Sequence, residues 1–170
     1  MTKSRALWLV PLLLTVHNAE EGLFMHRVLP LSPERFPAPL RDQVPAMTLP
    51  RFLIALGVVT VLPYLVALWG DLERERGPAT YLLLAVQATM ALNVLSHVGS
   101  TVMLGGYAPG VVTALLINLP FSVYLLRRAA REHWVRPRDW LALGAAAVVI
   151  HGPLLLGLMV LAGWVASAMA

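Results

Sequence analysis

One imidazole and two carboxylates, in the run His17-Asn-Ala-Glu20-Glu21, fall inside an otherwise unbroken apolar segment from Ala6 to Phe24. Helical spacing puts His17 at i, i+3 from Glu20 and at i, i+4 from Glu21, so the three share one side of a helix. A charge at the centre of a bilayer costs about 2.5 kcal/mol or more, and ionisable groups there face the protein interior and pair with one another. Two adjacent carboxylates in such a place call for a cation. That cation is either a proton or a metal ion, and histidine with carboxylate on facing helices is how helical bundles build metal sites.

The elements that must position these groups follow from composition. With 58% hydrophobic and 13% charged residues and a mean hydropathy of +0.72, the chain has too little polar surface to wrap a soluble core. The expected fold is all-α, a polytopic transmembrane helical bundle with about five membrane spans and a single domain over residues 1–170. The spans are expected at 6–24, 52–69, 79–103, 108–126 and 140–165, each near the roughly 20 residues that a bilayer needs. Lys3 and Arg5 before an apolar run resemble the start of a signal peptide, but no small-x-small cleavage site follows, which predicts a retained first helix. The connection 25–51 carries Pro30, Pro33, Pro37, Pro39, Pro45 and Pro50 and is expected to form an irregular cap. In the last span, His151-Gly152-Pro153 predicts a kink, because proline removes a backbone hydrogen bond.

Charge sets the expected orientation. With the N-terminus inside, Lys3, Arg5, Arg74, Arg76, Arg127, Arg128, Arg131, Arg136 and Arg138 lie in the inner segments. Only Arg27, Arg35, Arg41 and Arg51 lie outside, which favours a cytoplasmic N-terminus. The net charge of +4 is thus explained by topology and lipid headgroups, and nucleic acid is set aside as a partner. No cysteine is present, which excludes disulfides, iron–sulfur clusters and thiolate zinc sites. Twelve arginines against one lysine point to a GC-rich bacterial genome, and so to the bacterial cytoplasmic membrane.

Counting ~1.5 Å per residue from the inner interface brings His17, Glu20, Glu21, Asn93 and His151 to similar depths of roughly 16–21 Å, with His97 about one turn further out. Asn118 arrives near the same layer from a helix running the other way. Asn93 and His97 share a face at i, i+4. An enclosed polar pocket in the middle to outer half of the bundle is expected, with His17, Glu20, Glu21, His97 and His151 as candidate metal ligands. Glu20 is the candidate general base, and Asn93 the residue that orients substrate or ligand. Plainer roles compete: His151 as a residue that stabilises the kink, and Asn93 and Asn118 as bonds between helices.

Better-known motifs fail. His-Glu-x-x-His is absent, and the inverted form His-x-x-Glu-His is matched up to its last position, where Glu21 replaces histidine. Glu-Glu-x-x-x-Arg, the signature of membrane-embedded prenyl-protein proteases, would need arginine where Met25 stands. The His17-Asn-Ala-Glu20-Glu21 run in a first helix, Asn93-Val-Leu-Ser-His97, and Tyr107-Ala-Pro109-Gly110-Val-Val-Thr113 together resemble the HXXEE family of bacterial integral membrane proteins over most of the chain. The resemblance implies a membrane location and these candidate residues, and it leaves the reaction open. Tyr107-Ala-Pro109-Gly110 by itself predicts a tight turn opening the fourth helix, with Pro109 in its first turn. Thr113, one turn in, is placed to reach the pocket or to bond its own backbone.

The expected function is a metal-dependent membrane enzyme of hydrolase or oxidase type, acting on a lipid or other apolar small molecule that enters from the bilayer. Its cofactor would be a divalent ion, zinc, iron or manganese, its other partners membrane lipids, and a homo-oligomer is compatible with the sequence. From another class, a proton-coupled transporter could use the same His/Glu cluster as a relay. A structural subunit held together by buried polar groups is the third reading.

Overall fold

The structure, a computed structural model, describes residues 1–30, 47–72 and 77–168. Five long helices account for most of them, with no β-strand among the described residues: α1 (Lys3–Phe24), α2 (Leu49–Asp71), α3 (Pro78–Leu104), α4 (Val111–Arg131) and α5 (Pro137–Ala168). Helices α2 to α5 are each long and apolar enough to cross a membrane. Helix α1 has the length, but His17, Asn18, Glu20 and Glu21 lower its apolarity below that of the other four. The expectation of about five spans therefore resolves into four apolar helices and one polar-faced helix packed among them. Most of the proline-rich connection and residues 73–76 lie outside the described residues.

The helix ends follow from local chemistry. Thr2 caps α1 by accepting a hydrogen bond from the backbone N–H of Arg5. Pro50 and Pro78 sit in the first turns of α2 and α3, where a missing N–H costs nothing. Helix α3 ends at Gly105, in the left-handed region at φ +63°. At His151-Gly152-Pro153 the expected interruption takes the form of a π-helical turn over Ile150–Leu154 inside a continuous α5. A second π turn, Ala114–Asn118, lies in α4.

Helix α3 is central and packs against each of the other four. At the end where α1 begins, Ser4 and Trp8 both donate to the carboxylate of Asp71 at the end of α2, at 2.8 and 3.0 Å. Nearby, an apolar layer of Val10, Leu83, Leu84, Leu125 and Ala129 fills the bundle interior. Ala6, Ala67 and Ala129, small and buried in the same cluster, let the helix backbones approach closely. Helices α1 and α3 run from this layer toward the opposite end, and α4 runs back from it, which brings residues 17–21, 93–97 and 110–113 together.

Candidate metal centre

Helix α1 is fixed against α2 by two polar contacts. The Asn18 amide donates to Thr60 Oγ1 at 2.6 Å, and the hydroxyls of Thr15 and Tyr64 share a hydrogen bond at 2.9 Å. With that face held, His17 points the other way, toward α3 and α4, and is fully buried. Its Nε2 lies 3.2 Å from His97 Nε2, and Glu21 Oε1 lies 3.4 Å from the same His97 atom. One ligand atom from each of His17, Glu21 and His97 falls within 4.8 Å of the others, so the three could hold a metal ion. Asn93, one turn before His97, sets its amide nitrogen 3.0 Å from both Nε2 atoms.

The far side of the His17 ring determines which nitrogen faces inward. Thr113 has one hydroxyl proton, and the Glu20 carboxylate at 2.6 Å takes it. Thr113 Oγ1 is therefore the acceptor in its 2.8 Å contact with His17 Nδ1, and that nitrogen carries the proton. His97 turns its Nε2 toward the cluster, which leaves its Nδ1 on the far side of the ring. His17 thus turns an Nε2 lone pair toward His97, whose Nε2 lies beside Glu21. An outward Nδ1–H held by an oxygen is the arrangement that orients a metal-ligating imidazole.

Helix α4 starts one turn later than the sequence suggests: Gly110 is its N-cap and Pro109 precedes the helix. Gly110 has φ +87°, and a Cβ there would lie 2.5 Å from His97 Cε1, 2.9 Å from Glu21 Cγ and 3.0 Å from His17 Cε1. The backbone of Gly110 therefore lies directly against all three candidate ligands. A bare glycine cannot cap the helix with its own side chain, which leaves the first N–H groups of α4 without a local partner. Glu20 supplies the cap from α1. Its carboxylate accepts from the backbone N–H of Thr113 at 2.8 Å and of Val112 at 3.3 Å, from the Thr113 hydroxyl, and from the Tyr107 hydroxyl at 2.7 Å. An anion at a helix N-terminus is also favoured by the helix dipole.

The two adjacent glutamates hence part company: Glu21 joins the histidines, and Glu20 anchors α4. Glu20 is not brought into the ligand cluster, and its two oxygens already face four donors. His151 also stays apart, with its Nε2 2.8 Å from Ser96 Oγ. Asn118 is buried in the π turn of α4 with its amide nitrogen unpartnered, and it makes no bond to the cluster. Of the two roles expected of it, Thr113 takes the one in the pocket: its hydroxyl proton goes to Glu20 at 2.6 Å, and the Gly110 carbonyl at 3.3 Å is the poorer alternative acceptor. Sequence reasoning overlooked Asn18, Gln87 and Ser122. Gln87 donates to Ser122 at 2.7 Å between α3 and α4, and the visible signal was a polar residue on the His97 face of an apolar helix.

The family described as "Protein of unknown function with HXXEE motif" matches residues 8–125. That range contains every residue of the cluster and excludes His151. "Uncharacterized protein YrkK" of Bacillus subtilis (strain 168) is 31% identical over 110 residues, covering 64% of this chain. The chain spans 65% of the length of that relative. No solved structure matches.

Proposed function

This chain belongs to the HXXEE family, and we propose that it is a metal-dependent enzyme of the bacterial cytoplasmic membrane, hydrolytic in type, acting on a lipid or other apolar substrate. The observation that carries the proposal is the convergence of His17 Nε2, His97 Nε2 and Glu21, with the Nδ1–H of His17 held from behind by Thr113. Two histidines and one carboxylate are the ligand set of hydrolytic zinc sites that keep a fourth position open. A four-coordinate ion with bonds of about 2.0–2.1 Å has ligand atoms about 3.3–3.4 Å apart. The two edges that meet at His97, 3.2 and 3.4 Å, agree with that spacing, while the His17–Glu21 edge, within 4.8 Å, would have to close onto an ion. An ion held there would supply an acidified water as nucleophile.

The protein's own part is to hold and exclude. Asn93, whose amide nitrogen lies at both Nε2 atoms, would give those lone pairs up to an ion and turn its amide toward a substrate, Gly110 closes one side of the cluster, and the apolar layer below separates it from the other end of the bundle. That apolar layer also argues against a continuous proton path through the protein. The test is elemental analysis of detergent-purified protein beside His17→Ala and His97→Ala, together with product analysis after incubation with bacterial lipid extract. About one zinc per chain, lost in both variants along with product formation, supports the proposal. Iron instead would redirect it to oxidation. Absence of any ion from folded wild type after zinc reconstitution would overturn it, and flux driven by a pH gradient would become the assay.

A further inference from the structure

On the outer side of the Glu20 anchor, the surface is indented by an open cleft of about 490 Å³ lined by Glu20, Phe24, Arg27, Tyr107, Val112 and Thr113. Most of its lining surface is apolar, and Phe24 and Val112 are its apolar side chains. A smaller hollow on the other side of Tyr107 shares Arg27 with it. The cleft lies where α1 ends and α4 begins, at the end of the apolar bundle, where helices of spanning length would meet lipid headgroups.

Arg27 stands at the mouth of both hollows. Its guanidinium is stacked over the Phe24 ring at 4.8 Å, and none of the ion pairs among the described residues includes it. The acid nearest in the lining, Glu20, is occupied by its four donors. Stacking on an aromatic face fixes the planar fork while leaving its N–H groups turned outward, and that fork matches the oxygens of a phosphate.

We propose that this cleft binds an anionic membrane phospholipid, with the phosphate on Arg27 and an acyl chain along Phe24 and Val112. The proposal rests on the reading of the neighbouring centre as a lipid-directed site and defines its substrate class. The cleft and the cluster share a wall, because Thr113 lines the cleft and is bonded to His17. A lipid in the cleft is therefore one residue layer from a candidate metal ligand.

The test is competition between phosphatidylglycerol and phosphatidylcholine for the detergent-purified full chain, counted by native mass spectrometry, with zinc measured on the same samples. Wild type is expected to prefer phosphatidylglycerol by about fivefold, the effect of one basic residue near an anionic surface. Arg27→Gln should abolish the preference. Val112→Trp, which fills the cleft and keeps the charge, should abolish it too, and Arg127→Gln, at the far end of α4, should retain it. Equal binding of the two lipids by wild type, or a preference that survives Arg27→Gln, would overturn the proposal. Zinc content separates the two readings: ion present without lipid preference removes only the substrate class, whereas lipid preference without any ion removes the enzyme and leaves a lipid site.

Discussion

Replacing Gly110 by alanine tests the contact between the α3–α4 turn and the three candidate ligands. Two separate costs are expected. The first is backbone strain: at φ +87° a side chain meets its own backbone, at about 1–2 kcal/mol. The second is the close approach, since the new methyl would stand 2.5 Å from His97 Cε1 and 2.9 Å from Glu21 Cγ, both on elements held by other contacts. Overfilling of this kind costs about 1–3 kcal/mol. Gly105 provides the control for the first cost alone. Its φ is +63° and nothing lies within 4 Å of a Cβ placed there. Gly105→Ala should therefore lose about 1–2 kcal/mol, and Gly110→Ala about 2–5 kcal/mol together with bound metal. In a thermal melt, each kcal/mol corresponds to about 2–4 °C for a chain of this size. The Tm values and ion contents of wild type, Gly105→Ala and Gly110→Ala, purified side by side, decide the matter. If Gly110→Ala melts no lower than Gly105→Ala and keeps its ion, the close packing of the turn on the ligands is refuted.

The division of labour between the two glutamates predicts opposite phenotypes: Glu21→Gln should lose the metal with little change in the melting temperature of the apo form, while Glu20→Gln should lower that temperature and keep the metal. Elemental analysis and apo-protein melts on both variants check this. Between α3 and α4, Ser122→Ala should cost about 0.5–2 kcal/mol by leaving Gln87 without its partner, and the double variant Gln87→Leu/Ser122→Ala should recover most of the loss in the same melts. The Tyr107 phenol is pushed up to about 12, first by burial and then by its hydrogen bond to Glu20. A folded pKa above the unfolded value of about 10 means that its contribution to stability is complete below pH 10 and disappears between pH 10 and 12. The stability difference between wild type and Tyr107→Phe should vanish over that window, and the late tyrosinate signal should be missing from the variant.

The helices were legible because their signal is additive: long apolar runs bounded by Pro50, Pro78, Gly105 and the arginines state where each begins and ends. His17, Glu21, Asn93 and His97 were legible because burying each in an apolar helix is costly, and helical spacing fixes which of them share a face. Glu20, expected as a ligand or general base beside Glu21, lies outside the cluster for a physical reason. Its spacing from His17 is as good as that of Glu21, and only the three-dimensional approach of α4 shows that its oxygens are taken by N–H groups at a helix start. The role of Gly110 was hidden in the same way, since a turn glycine looks alike whether its missing side chain faces solvent or three ligands. The depth count brought His151 level with the cluster, but depth carries no azimuth. The side of α5 on which it lies sends it to Ser96 instead.

X-ray absorption spectroscopy at the metal edge of the as-purified protein tests the central claim most directly, because it reads the ligands themselves. The account predicts about one zinc per chain, with two imidazoles and one or two oxygens at about 2.0–2.1 Å, and loss of the imidazole scattering in His17→Ala. A metal surrounded by oxygen alone, or a spectrum unchanged in that variant, would contradict it.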